Sequence, residues 1–293
     1  MGGSKPLTLP LRGNKIPVMA KKKDKSREGP WAPEWATQPF RDFIEQTKRL
    51  DELLRLSISG ISILRGMPKI VEVLAKMQGE SGKETRDTLQ RAKKEAELAK
   101  REVKDDFPLL HAQTTIALWS ALEATIRYFL TRWLQNYEKA MEVEAIQKLR
   151  VKIGEYESLE GEERFFYILN RLEQELATPL KTGVTRFESL LDPFGLAGPV
   201  DEDVRRNLFE LNQVRNALVH RAGLADRRLT NSCPWMKLKV GDPVKVDREM
   251  TTRYSESVAN YALELIIRIG EHFGVDMSEF RSKSQATNGG IKV

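Results

Sequence analysis

LNQVRNALVHRAG, residues 211–223, is the stretch from which the fold is read. Upstream, Pro199 and Asp201 supply stop and cap chemistry. Val204, Leu208, Leu211 and Leu218 then recur at spacings of four, three and seven, which predicts an amphipathic helix closed by Gly223. One stripe of this helix is core. At 3.6 residues per turn Arg215 falls about 40° from Leu211, inside that stripe, while Asn216 and His220 share a second face with Phe209. A guanidinium on an apolar stripe is expensive unless it is paired or opens onto an anion-filled cleft. The same wheel sets Arg215 and His220 about 140° apart. The length of the Arg side chain and fraying of the last turn towards Gly223 are two ways to bring them together; alternatively, Asn216 and His220 belong to a surface that a second copy completes. The purely structural reading of these residues is a salt-bridged Arg and a His favoured by the dipole at a helix C-terminus.

With 293 residues there is chain enough for a sizeable core. The lone Cys233 excludes an intramolecular disulfide and a Cys-rich metal site, and fits a reducing compartment. His111, His220 and His272 stand far apart without metal-ligand spacing, so no zinc and no cofactor are expected. The net charge of +6 is carried entirely by residues 1–30, with eight bases and two acids; the rest of the chain is balanced at 40 bases and 40 acids. Residues 1–39 are expected to form a disordered basic tail, and 276–293 a flexible one. The start MGGSKP has Pro6 where a myristoylation signal wants Ser or Thr, and no apolar stretch is long enough to span a bilayer, so a cytoplasmic protein without membrane contact is expected.

Within 40–106, Phe40, Phe43, Ile44, Leu50, Leu53 and Leu54 mark one helix, Pro68 begins another, and Gly79 to Gly82 breaks the chain. The next helix alternates Leu89, Ala92, Ala96, Ala99 and Val103, a narrow seam suited to one partner helix in this chain or another. Asp105-Asp106-Phe107-Pro108 starts a helix to about Tyr137 that is apolar nearly all round, hence central or buried by a second subunit. Glu123 and Arg127, four apart, lie on its polar flank. They read either as a surface ion pair or with Glu123 as the orienting partner of Arg215 or Asn216. Helices are also predicted over 162–177, 186–191 and from about Arg248 to Phe273. A small β-hairpin, Trp235 to Val240 and Val244 to Val246, is expected to turn at Gly241-Asp242-Pro243.

Taken in order, the segment TTIALWSALEATIRYFL with an acid in it, the Arg-Asn-x-x-x-His helix and the closing amphipathic helix resemble the HEPN domain, an α-helical family whose catalytic members cut RNA without a metal. The resemblance covers 107–275 and implies an all-α, HEPN-like helical bundle, here with extra N-terminal helices and the hairpin as an insertion. Carried over residue by residue, it makes Arg215, Asn216 and His220 the catalytic set. It further implies a homodimeric endoribonuclease that leaves a 2′,3′-cyclic phosphate and a 5′-hydroxyl, often within toxin–antitoxin or antiviral defence systems. An antitoxin or regulatory protein would then have the N-terminal helices to bind.

The residue types suit that chemistry. His titrates near neutrality and serves as acid or base; Arg stays charged and matches phosphate with a planar fork. One His per site and chain supplies one proton-transfer group, so a two-fold site with Arg215 and His220 used twice is the economical arrangement. Two alternatives belong to other classes: a catalytically silent HEPN-like module that binds nucleic acid or a partner protein, and a helical adaptor with no nucleic-acid role that binds partners through the 89–103 seam.

Overall fold

The computed structural model describes residues 32–79 and 81–281, and the chain is predominantly helical. The order is α1 (Glu34–Leu64), α2 (Met67–Gln78), α3 (Lys83–Lys104), α4 (Pro108–Asn136), α5 (Glu144–Gln147), α6 (Ile153–Glu157), α7 (Glu162–Glu175), α8 (Val184–Leu191), α9 (Glu202–His220), α10 (Arg227–Ser232) and α11 (Arg248–His272). Most of the expected tails, 1–31 and 282–293, lies outside the described residues.

The central element is α4, as its all-round apolar character demands: it packs against α1, α7, α8, α9 and α11. Trp119, Leu122, Ile126, Phe129, Leu130 and Trp133 are each 1% exposed or less and join the main core. The burial is supplied within the chain, without recourse to a second subunit.

The expected boundary at residue 40 is corrected. Ala32, Ala36, Phe40 and Phe43 belong to the main core, and α1 already begins at Glu34. The anchor is Trp35, whose ring stands edge-on to Trp133 at 5.7 Å and to Phe273 at 6.1 Å, tying α1 to α4 and to the end of α11. At the other terminus Met277 is buried and Arg281 pairs with Glu271 at 2.6 Å, so the chain is folded past residue 276. The second half of α1 forms a separate small cluster, Leu54 and Ile58 with Phe107, where α3 packs on it, and α2 packs in turn on α3. Ala92, Ala96 and Ala99 of α3 are buried there, so the alanine seam finds its partners inside the chain.

The expected hairpin does not form. Pro234–Met236 is a 3₁₀ turn and Lys237 is left-handed (φ +54°), which breaks the first strand. The turn at 239–242 is present, with the Lys239 amide donating to Asp242 Oδ2 at 2.8 Å. The segment beyond it instead pairs with the residues that follow α9: Leu224 bridges Pro243, and the Val244 amide donates to the Gly223 carbonyl at 2.8 Å. Val244 and Val246 alternate inward because they fill a small cluster under α9, not because they belong to a sheet.

The loop into α8 meets α9 at Gly183, whose φ of +58° and ψ of −145° suit glycine alone. A Cβ there would stand 2.8 Å from Phe209 Cα. Gly183→Ala is therefore expected to lower stability by about 2–4 kcal/mol, strain and overpacking together. A urea midpoint unchanged from the parent would show that the loop has another way to dock.

Candidate functional site

Helix α9 starts on a side-chain cap: Asp201 Oδ1 accepts from the amides of Asp203 (3.0 Å) and Val204 (3.1 Å). Val204, Leu208 and Leu211 enter the main core. Val214 and Ala217 enter the second cluster with Ala112, Leu229, Val244 and Val246. The last turn is regular through His220. The amides of Arg221 and Gly223 both donate to the Ala217 carbonyl, at 3.0 and 3.1 Å, with Ala222 and Gly223 in the left-handed region (φ +53° and +75°). Fraying is therefore not what joins the motif.

The Arg side chain does it. Arg215 Nη1 donates to Asn216 Oδ1 at 3.2 Å and lies 3.4 Å from His220 Nε2. The 140° divergence on the wheel is spanned by the length of the guanidinium arm. Because Arg is only ever a donor, His220 Nε2 stands where it can accept from the guanidinium. The stem of Arg215 lies in the protein, with Nε buried and without a partner. Among the described residues no carboxylate pairs with it; its polar contacts are Asn216 and His220. Such a guanidinium has capacity left for an anion.

Glu123 is placed elsewhere. Its carboxylate pairs with Arg186 of α8 at 2.7 Å, both side chains 21% exposed. Arg127, the expected surface partner, pairs instead with Glu173 of α7 and donates to Asn170 Oδ1 at 2.5 Å. Glu123 thus fastens α8 to α4, and the role of orienting Arg215 or Asn216 falls away in favour of this pairing.

The three histidines differ sharply in environment. His220 is exposed at the end of α9. His272 packs edge-on to Trp133 and Tyr137, at 4.9 and 5.3 Å, and burial holds its pKa below the ordinary value. His111 is 0% exposed with both ring nitrogens unpartnered, and burial likewise lowers its pKa. His220 and His272 are both exposed, but only His220 stands beside a guanidinium without an acid, that of Arg215. Since the folded-state values of His111 and His272 lie below the unfolded value of 6.5, the folded protein binds fewer protons than the unfolded chain. Stability is whole above that pH and falls below it, by up to about 1.4 kcal/mol per pH unit for the buried His111 and by less for the solvent-screened His272. Denaturation between pH 7 and 5 should show this slope, reduced in His111→Leu; an equal slope in that variant would refute the assignment.

Sequence reading missed the polar cluster one turn before the motif. Glu210, 1% exposed, accepts from Trp235 Nε1 and Arg253 Nη2, and from Tyr254 Oη at 2.7 Å. Neighbouring Cys233 is 1% exposed; its thiol pKa is pushed up to about 12, by burial first and by the Glu210 charge second. No spacing in the sequence pairs Glu210 with Trp235, 25 residues away. Pro234-Trp235 after a buried Cys is the only local hint. Among the described residues, no group of three or more His, Cys, Asp or Glu stands together, and no helix is long and apolar enough to cross a membrane.

In comparisons with protein-family models, with curated proteins and with solved structures, nothing matches this chain.

Proposed function

We propose that this protein is a HEPN-like, metal-independent endoribonuclease that acts as a homodimer, with Arg215, Asn216 and His220 of both copies at the reacting phosphate. The observation that carries the reading is the acid-free guanidinium of Arg215 beside the exposed His220 ring. One His220, neutral, takes the proton of the 2′-hydroxyl; O2′ attacks phosphorus, and the bond from phosphorus to O5′ breaks. The His220 of a second copy, protonated, gives its proton to O5′. The products are a 2′,3′-cyclic phosphate and a 5′-hydroxyl. Arg215 stabilises charge on the phosphorane oxygens, and Asn216, which accepts from Arg215, holds the fork in position. The terminal, exposed position of His220 on α9 suits assembly of this site across a two-fold axis.

The test is cleavage of a mixed-sequence RNA with excess EDTA, with analysis of the product ends and of the oligomeric state. A monomer that cuts at full rate would remove the dimer from the mechanism, and 3′-hydroxyl products would remove the mechanism itself.

A second reading has its own support. Helix α2 has no buried residue, and Ile70, Val73, Leu74 and Met77 are 47–79% exposed. An apolar face of this kind suits a protein partner such as an antitoxin or regulator. A stable protein complex with no RNA binding would favour an adaptor over the nuclease.

A further inference from the structure

We propose that the groove beside the first half of α9 holds a single-stranded RNA, with Arg205 on a phosphate and the Arg206–Trp235 stack as a platform for a base. The proposal rests on the reading of α9 as an RNA-cleaving helix and adds how the strand reaches it.

The groove encloses about 550 Å³ and is lined by Thr182, Thr185, Arg205, Arg206, Phe209 and Trp235 among others. The Arg206 guanidinium carbon sits 4.5 Å from the Trp235 ring centroid, and the ring is 36% exposed. Stacking engages one face of the guanidinium and leaves its edge of N–H donors for phosphate. The ring is held from behind, because its Nε1 donates to the buried Glu210, itself fixed by Arg253 and Tyr254. A platform fixed in this way loses little freedom on binding.

Both cations are available. The ion pair of Arg205 is a 3.9 Å contact with Glu202, a side chain 89% exposed, so it is weak. Arg206 has no ion pair among the described residues, and both arginines are exposed.

The groove is aligned with the candidate site. On the helix wheel Arg205, Phe209, Asn216 and His220 fall within about 60° of one another, and Arg205 lies about 22 Å from His220 along the axis. One face of one helix therefore carries cations and an aromatic ring at one end and the acid–base group at the other. Stacking needs an unpaired base, which selects a single strand over a duplex. An acidic peptide would use the arginines but leave the ring without a function.

The test uses the full chain carrying His220→Ala, so that RNA stays intact, and a fluorescein-labelled uridine 12-mer. Binding is read by anisotropy across a salt series and by tryptophan fluorescence. The expected result is binding that quenches tryptophan emission, with the quench lost on adding Trp235→Phe. Adding Arg205→Gln and Arg206→Gln should weaken binding about tenfold or more and lower the logarithmic salt slope by about 1.4, for two phosphates on a single strand. Equal affinity in the double Gln variant, no quench, or displacement of the RNA by polyglutamate of equal charge would each overturn the groove. Cleavage that needs His220 while the Gln variants bind normally would sink the groove and leave the nuclease standing. Groove-dependent binding by a protein that never cuts would do the reverse.

Discussion

His220→Ala is expected to slow RNA cleavage about 10²–10⁴-fold, the usual worth of a positioned acid or base. Arg215→Ala should cost about 10²–10³-fold, the scale of losing a preorganised donor at developing negative charge. At 1.36 kcal/mol per decade the larger loss is about 2.7–5.5 kcal/mol of transition-state stabilisation. The experiment is clean because His220 is exposed and makes one contact, to Arg215, so its removal should shift folding stability by less than about 0.5 kcal/mol. Arg215→Lys separates charge from geometry. The ammonium keeps the positive charge, but as a point and without the fork, so activity should stay well below the parent. A folded, dimeric His220→Ala protein that cuts as fast as the parent would end the nuclease reading.

Arg268→Met is expected to lower folding stability by about 3–5 kcal/mol, the cost of breaking a buried ion pair from one side. Arg268 is 7% exposed and holds five acceptors: Glu188 Oε1 and Oε2 at 2.9 and 3.0 Å, Glu264 Oε1 at 3.1 Å, and the carbonyls of Pro199 (2.7 Å) and Leu196 (3.4 Å). Glu188 also accepts from Tyr261 Oη at 2.7 Å and from the Gly198 amide at 2.8 Å. The network thus joins α8 and α11 to the loop 196–199 from which α9 departs. Removing only the Arg leaves a carboxylate and two carbonyls without it in a dry place. Removing both charges, in Arg268→Met with Glu188→Leu, should recover most of the loss, because an apolar pair of similar volume asks for no solvation. Urea denaturation of the two single variants and the double measures the coupling. A loss below about 1 kcal/mol in Arg268→Met would show the network to be solvated.

The long helices were legible because their apolar spacing is intrinsic to each segment. Val204, Leu208 and Leu211 define α9, and Tyr254, Val258, Tyr261 and Leu265 define α11, without help from any neighbour. The proximity of Arg215 and His220 was legible only as an option, since it depends on the reach of one side chain. Pairings across the fold were not legible. The acid of α4 takes Arg186, 63 positions on, and Arg127 takes Glu173, choices set by how α7 and α8 dock. The hairpin expectation fails for a related reason: alternation of Val244 and Val246 signals one buried side, and a cluster beneath a helix serves as well as a sheet. The start of α1 is not legible locally, because a Trp-and-Pro-rich stretch looks like linker; its order comes from the rings of Trp133 and Phe273, which receive Trp35.

The single cysteine acquires a use from its location. Cys233 lies sealed under the last turns of α9, in the cluster that supports the motif end of that helix, with a thiol that scarcely ionises near neutrality. A thiol-specific reagent meets it only when that corner opens, since the thiolate is the reacting form and has to reach water. The chain therefore carries a clock of its own: the pace of alkylation in native buffer counts how often the floor beneath Arg215 and His220 lifts, with no label introduced anywhere else.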